Sequence, residues 1–166
     1  MTCIVGITDG NTIYIGGERA ASDGNTIIST TRPKVHINNG WIFGYAGSFG
    51  TGQLMEFLDL PIIDSNDDPY RVLRLDIVNQ VRDIIDTHGI FNDKEDNNSE
   101  FIIGTGGRLF EFCTSDYSVV EVSETAVGSG GSVAMGSLYT SLLYTYNNKE
   151  RVEHALSCLL YTSPSP

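Results

Sequence analysis

Thr2 is a hydroxyl residue that follows Met1 and runs directly into the apolar, β-prone stretch Cys3-Ile4-Val5. Thr is small enough for cytosolic removal of the preceding Met, and that single cut would place a free α-amine on a nucleophile. An amine with an unperturbed pKa near ~8 can act as base for its own hydroxyl, so one residue would both attack an amide carbonyl and take the proton. The same residues also describe an ordinary first strand with a polar end. The chemistry therefore requires a lysine and an oxyanion site from elsewhere in the chain. Other reactive side chains do not compete. His36, His88 and His154 lack any paired ligand spacing, which disfavours both a metal site and a Ser/His/Asp triad. Cys3, Cys113 and Cys158 are widely spaced outside any CxxC and read as reduced core thiols. No Gly-Lys-Ser/Thr follows Gly128-Ser129-Gly130-Gly131, which also breaks the dinucleotide spacing. Neither a metal nor an organic cofactor is expected.

The elements that must position Thr2 begin as a run of strands. Thr2 to Thr8 and Thr12 to Gly17 flank Asp9-Gly10-Asn11, a hairpin turn by composition. Short strands at 26–29, 34–37 and 41–46 follow, the last two joined by Asn38-Asn39-Gly40, so the first third reads as one antiparallel meander. The period then changes. Leu54, Met55, Phe57 and Leu58 predict a helix over 50–60. Asp68-Pro69 opens a second over 70–88, with Leu73, Ile77, Val81, Ile84 and Ile85 on one face. A polar loop at 92–98 leads to strands at 100–104, 108–114, 118–122 and 125–127. Helices at 133–146, with Met135, Leu138, Leu142 and Leu143 as its apolar side, and from 150 to about 160 close the pattern. Two strand groups separated by helix pairs fit an α+β fold, a four-layer αββα sandwich of two antiparallel sheets.

At 166 residues with 40% hydrophobic content, the chain suits one domain, placed at 1–157; residues 158–166 read as a non-native or disordered tail. A formal net charge of −11 argues against nucleic acid and anionic membrane as partners. No apolar run is long enough to cross a membrane, and no basic region precedes one at the start, so the expected compartment is the cytoplasm.

In this order, Met1-Thr2-Cys3-Ile4-Val5-Gly6, Gly16-Gly17-Glu18-Arg19, Pro33-Lys34-Val35, Phe43-Gly44-Tyr45-Ala46-Gly47 and Val127-Gly128-Ser129-Gly130-Gly131 resemble the proteasome β-type branch of the N-terminal-nucleophile (Ntn) hydrolases, including the bacterial proteasome-like peptidases. The resemblance implies that Thr2 is the catalytic nucleophile and Lys34 the lysine that tunes it. It further implies that Glu18 neutralises that lysine, Gly44 gives the oxyanion-hole N–H, and Ser129 completes the hydrogen-bond network of Thr2. Positions such as Ala21, Thr31 and Ser48 would line the substrate pocket. The implied activity is a threonine-type endopeptidase acting on peptides or unfolded protein, in a homo-oligomeric ring with an ATP-dependent unfolding partner. A departure lies at the end: where the family places a further Asp and Ser and then more strands, 161–166 holds no Asp, so the fold reads as truncated there. Two alternatives stay open, an Ntn amidase cutting small amides and a non-catalytic ring or scaffold subunit.

Overall fold

The computed structural model describes residues 2–22, 27–88 and 98–159. The start of the chain, β1 (Ile4–Thr8), pairs antiparallel with β2 (Ile13–Gly17) on one side and with β10 (Glu124–Val127) on the other. β3 (Ala20–Ser22) and β4 (Ile27–Ser29) form a separate ribbon. A five-stranded antiparallel sheet then runs in chain order through β5 (Val35–Asn38), β6 (Trp41–Ala46), β7 (Glu100–Thr105), β8 (Arg108–Cys113) and β9 (Val119–Val122). The meander expected over the first third is thus divided, with β1 and β2 in one sheet and β5 and β6 in the other. β3, unforeseen in the sequence, lies between them.

Strand alternation builds the layers. Cys3, Val5 and Ile7 point one way from β1 and pack with Ala134 and Leu138 of α4 (Gly131–Ser141) and Val152 and Ala155 of α5 (Asn148–Ser157). Ile4 points the other way and meets Ala46, Ile102 and Leu109 between the sheets. On the far side, Trp41, Phe43, Phe101, Phe110 and Phe112 pack against Met55 of α1 (Phe49–Glu56) and the long second helix. That helix starts as α2 (Pro69–Val72) with Asp68 as N-cap, passes through a π-helical stretch (Leu73–Ile77) and continues as α3 (Val78–His88). Leu73, Ile77, Val81 and Ile85 form its buried stripe, as the periodicity predicts. Helix, sheet, sheet, helix is the four-layer αββα order.

Two helices end earlier than their apolar residues imply, and both ends are set by distant side chains. Asn38 and Asn39 donate from their side-chain amides to the Leu58 and Leu60 carbonyls, and Trp41 Nε1 donates to the Pro61 carbonyl. These bonds draw 58–61 off the helical path, so α1 stops at Glu56 and Phe57 is exposed. Arg151 takes the Leu138 carbonyl and the Ser141 hydroxyl in the same way. α4 therefore stops at Ser141, and Leu142 and Leu143, expected on its apolar side, face solvent. The expected tail begins inside the packing, because Leu159 is buried beside Gly130; 160–166 fall outside the described residues, as do most of the polar loop and the turn at 23–25. No helix among the described residues is long and apolar enough to cross a membrane.

Candidate active site

Thr2 is held at one end of both sheets, just ahead of β1. Its carbonyl accepts the Gly130 N–H at 3.1 Å and its nitrogen donates to Ser129 Oγ at 3.0 Å, so the turn between β10 and α4 grips it from one side. Gly128 allows that approach: its φ is +91°, and a Cβ there would sit 2.5 Å from the Thr2 carbonyl oxygen. From the other side comes Lys34, one residue before β5. Its ammonium donates to Thr2 Oγ1 at 3.2 Å and to Glu18 Oε1 at 2.7 Å, and lies 5.4 Å from the centre of the Phe49 ring. The Lys34 side chain is only 2% exposed, whereas that of Glu18 is 23% exposed. Glu18, one residue past β2, also accepts the Cys3 N–H at 3.2 Å, which ties the ion pair to the start of β1. A buried ammonium is tolerable only beside a carboxylate, and this one has it. Burial and then the negative charge of Glu18 push the Cys3 thiol up to about 12, so the sulfur next to Thr2 stays a neutral, weak nucleophile.

No family model matches the chain, and no curated protein matches it. Solved structures do. BPH from Thiobacillus denitrificans in complex with epoxomicin is similar at 17% identity with a TM-score of 0.79, over 98% of this chain and 91% of that one. HslV from Trypanosoma brucei is similar at 19% identity with a TM-score of 0.67, over 98% of this chain and 92% of that one. A second structure of T. denitrificans BPH is similar at 18% identity with a TM-score of 0.72, over 93% of this chain and 89% of that one. The chain has the proteasome-type Ntn-hydrolase fold.

Within that fold, four of the five expected site residues come together: Thr2, Glu18, Lys34 and Ser129. Gly44 does not. It lies inside β6, paired with Val35 on one side and Ile102 on the other, and a Cβ there would meet Ile4 Cγ2 at 2.7 Å. Gly44 is a contact between sheets. The glycine of this motif that borders the depression at Thr2 is Gly47, one residue past the end of β6, with φ +109°. A Cβ on Gly47 would lie 2.5 Å from the Asn98 carbonyl oxygen. With Asn98, Glu100 and Ser129, it surrounds an open depression of about 270 Å³ at Thr2. The sequence signal for Gly47 was its place just beyond a predicted strand end. Larger hollows of about 550 Å³ lie by Asp9 and Arg108 and by Asn66 and Arg71, away from any nucleophile and lysine pair.

The histidines are elsewhere. His36 stacks on Phe43 near Glu56, His154 Nδ1 lies 3.2 Å from Ser137 Oγ and 3.5 Å from Cys158 Sγ, and the side chain of His88 is outside the described set. No cluster of three or more potential metal ligands occurs among the described residues. Arg19 is exposed, Thr31 is exposed, and Ser48 caps α1 by accepting the Thr51 N–H.

Proposed function

We propose that this chain is a threonine-type peptidase whose nucleophile is Thr2 once the bond to Met1 is cut. The carrying observation is that Thr2 Oγ1 lies 3.2 Å from an ammonium that is itself 2.7 Å from a carboxylate, while Thr2 N rests on Ser129 Oγ. In the first step the free amine takes the hydroxyl proton, directly or through water, as the oxygen attacks the scissile carbonyl. Lys34 lowers the proton affinity of both groups and stabilises the alkoxide. Glu18 holds the Lys34 ammonium in place. The oxygen that develops negative charge is received by the Gly47 N–H at the rim of the depression beside Thr2. Collapse of the intermediate breaks the C–N bond, the amine returns its proton to the departing nitrogen, and an ester on Thr2 remains. Water activated by the same amine then attacks the ester and frees the acid.

The substrate class we propose is peptide or unfolded protein, in the cytoplasm, with a homo-oligomeric assembly and an ATP-driven unfolding partner. Support for assembly comes from large apolar side chains left in solvent: Phe57 and Ile62 near α1, Leu75 on the π-helical stretch. The experiment combines intact mass, sedimentation and a substrate panel on one preparation. We expect Met1 absent, an oligomer, and cleavage of peptides but not of small amides, with turnover lost and fold kept in Thr2→Ala. Peptide cleavage by a chain that fully retains Met1 would overturn the mechanism. Cleavage of small amides alone by a monomer would move the assignment to an amidase, and Met1 retention without any activity to a scaffold subunit.

A further inference from the structure

Glu100 begins β7 on the strand face that carries Ile102 toward the first sheet, so an acid opens an otherwise apolar surface between the sheets. Its Oε2 accepts the Gly128 N–H at 2.8 Å, which holds the turn bearing Ser129 and leaves the second carboxylate oxygen for another donor. With Gly47, Asn98, Ser129 and Thr2 it borders the depression of about 270 Å³. No lysine or arginine lines that depression among the described residues. Lys34 is on the hydroxyl side of Thr2, engaged with Glu18.

Proton flow fixes which part of a substrate enters. The Thr2 hydroxyl faces Lys34, whereas its nitrogen faces Ser129. The proton taken from the hydroxyl must be handed by the Thr2 nitrogen to the departing nitrogen of the substrate, so the leaving portion exits on the Ser129 side. Glu100 stands there. We propose that the depression receives the residue that follows the cleaved bond, and that Glu100 selects a cationic side chain, lysine or arginine, at that position. This assignment rests on the peptidase reading above. An acidic side chain at the same position meets like-charge repulsion in a partly desolvated site.

The test uses the full chain with Met1 removed and two peptides that differ only in carrying Lys or Glu after the cleaved bond. Wild type is expected to favour the Lys peptide by at least about tenfold in kcat/KM, equivalent to about 1.4 kcal/mol, close to the lower bound for a hydrogen bond to a charged group. Glu100→Gln keeps an acceptor for the Gly128 N–H while removing the charge, and should bring the ratio close to one. Glu153→Gln, an equal charge change on the exposed face of α5, should leave the ratio as in wild type. Added salt should narrow the wild-type ratio. Equal cleavage of both peptides by wild type overturns the assignment, whatever the variants do, as does an unchanged preference in Glu100→Gln. Cleavage of neither peptide overturns the peptidase reading along with it.

Discussion

Replacing Glu18 by Gln removes one charge and almost no volume, and it isolates what the buried pair contributes. The amide can still accept the Cys3 N–H, so the start of β1 keeps that tie. Lys34 Nζ, however, loses a carboxylate 2.7 Å away while its side chain remains 2% exposed. At an effective dielectric of ~20, that separation corresponds to an attraction of about 6 kcal/mol. Breaking one side of a buried pair typically costs roughly 3–5 kcal/mol once relaxation is included, and the partial exposure of Glu18 places this one near ~3 kcal/mol. For a chain of this size, that lowers the melting temperature by about 6–12 °C. Trp41, the sole tryptophan and fully buried, gives the fluorescence signal for urea unfolding. Lys34→Met supplies the second arm of a double-mutant cycle. The double variant should be more stable than Glu18→Gln alone, because it removes the stranded ammonium and fills its place with an apolar chain. A loss below about 1 kcal/mol for Glu18→Gln, with no recovery in the double variant, would refute a desolvated pair.

Gly47→Ala keeps the backbone N–H, but its Cβ would lie 2.5 Å from the Asn98 carbonyl oxygen and push that N–H out of place, which should lower kcat by roughly 100-fold if it receives the oxyanion. It should also cost about 1–3 kcal/mol of stability from a side chain at positive φ; full activity in a folded variant would remove Gly47 from the mechanism. The Cys3 thiol, raised from 9.0 to about 12 by burial and then by Glu18, holds its proton more firmly folded than unfolded. Stability therefore falls as pH rises through that window, and urea midpoints from pH 7 to 10.5 should decline less steeply in Cys3→Ala. Equal slopes in the two proteins would place the thiol in water.

What the sequence disclosed was local. Asp68-Pro69 at a helix start, the stripe through Leu73, Ile77, Val81 and Ile85, and the Asn39-Gly40 turn each follow from residues within a few positions of one another. The glycine-flanked Ser129 could be tied to Thr2 only by its place in an ordered set of motifs. What stayed hidden depends on distant partners. The ends of α1 and α4 are set by Asn38, Asn39 and Arg151 capturing carbonyls, which no window around residues 57 or 142 contains. Gly44 and Gly47 sit three residues apart in the same motif, and only the exact end of β6 decides which one packs between sheets and which one meets Thr2. The separation of β1 and β2 from β5 and β6 follows from β10 returning to pair with β1, some 120 residues later.

The site is split between the two sheets. Thr2, Glu18 and Ser129 belong to the sheet of β1, β2 and β10, while Lys34, Gly47 and Glu100 belong to the five-stranded one. The inter-sheet layer that sets their spacing is thin, built on Ile4, Ala46, Ile102, Leu109 and Val127. The 3.2 Å contact between Lys34 and Thr2 therefore works as a vernier on the alignment of the two halves. A slide of about 1 Å, trivial for apolar side chains in ordinary contact, takes that bond beyond hydrogen-bonding range. In the peptidase proposed above, whatever presses on the outer helices of one half without moving the other would act on the rate as a throttle, with no need to touch the substrate.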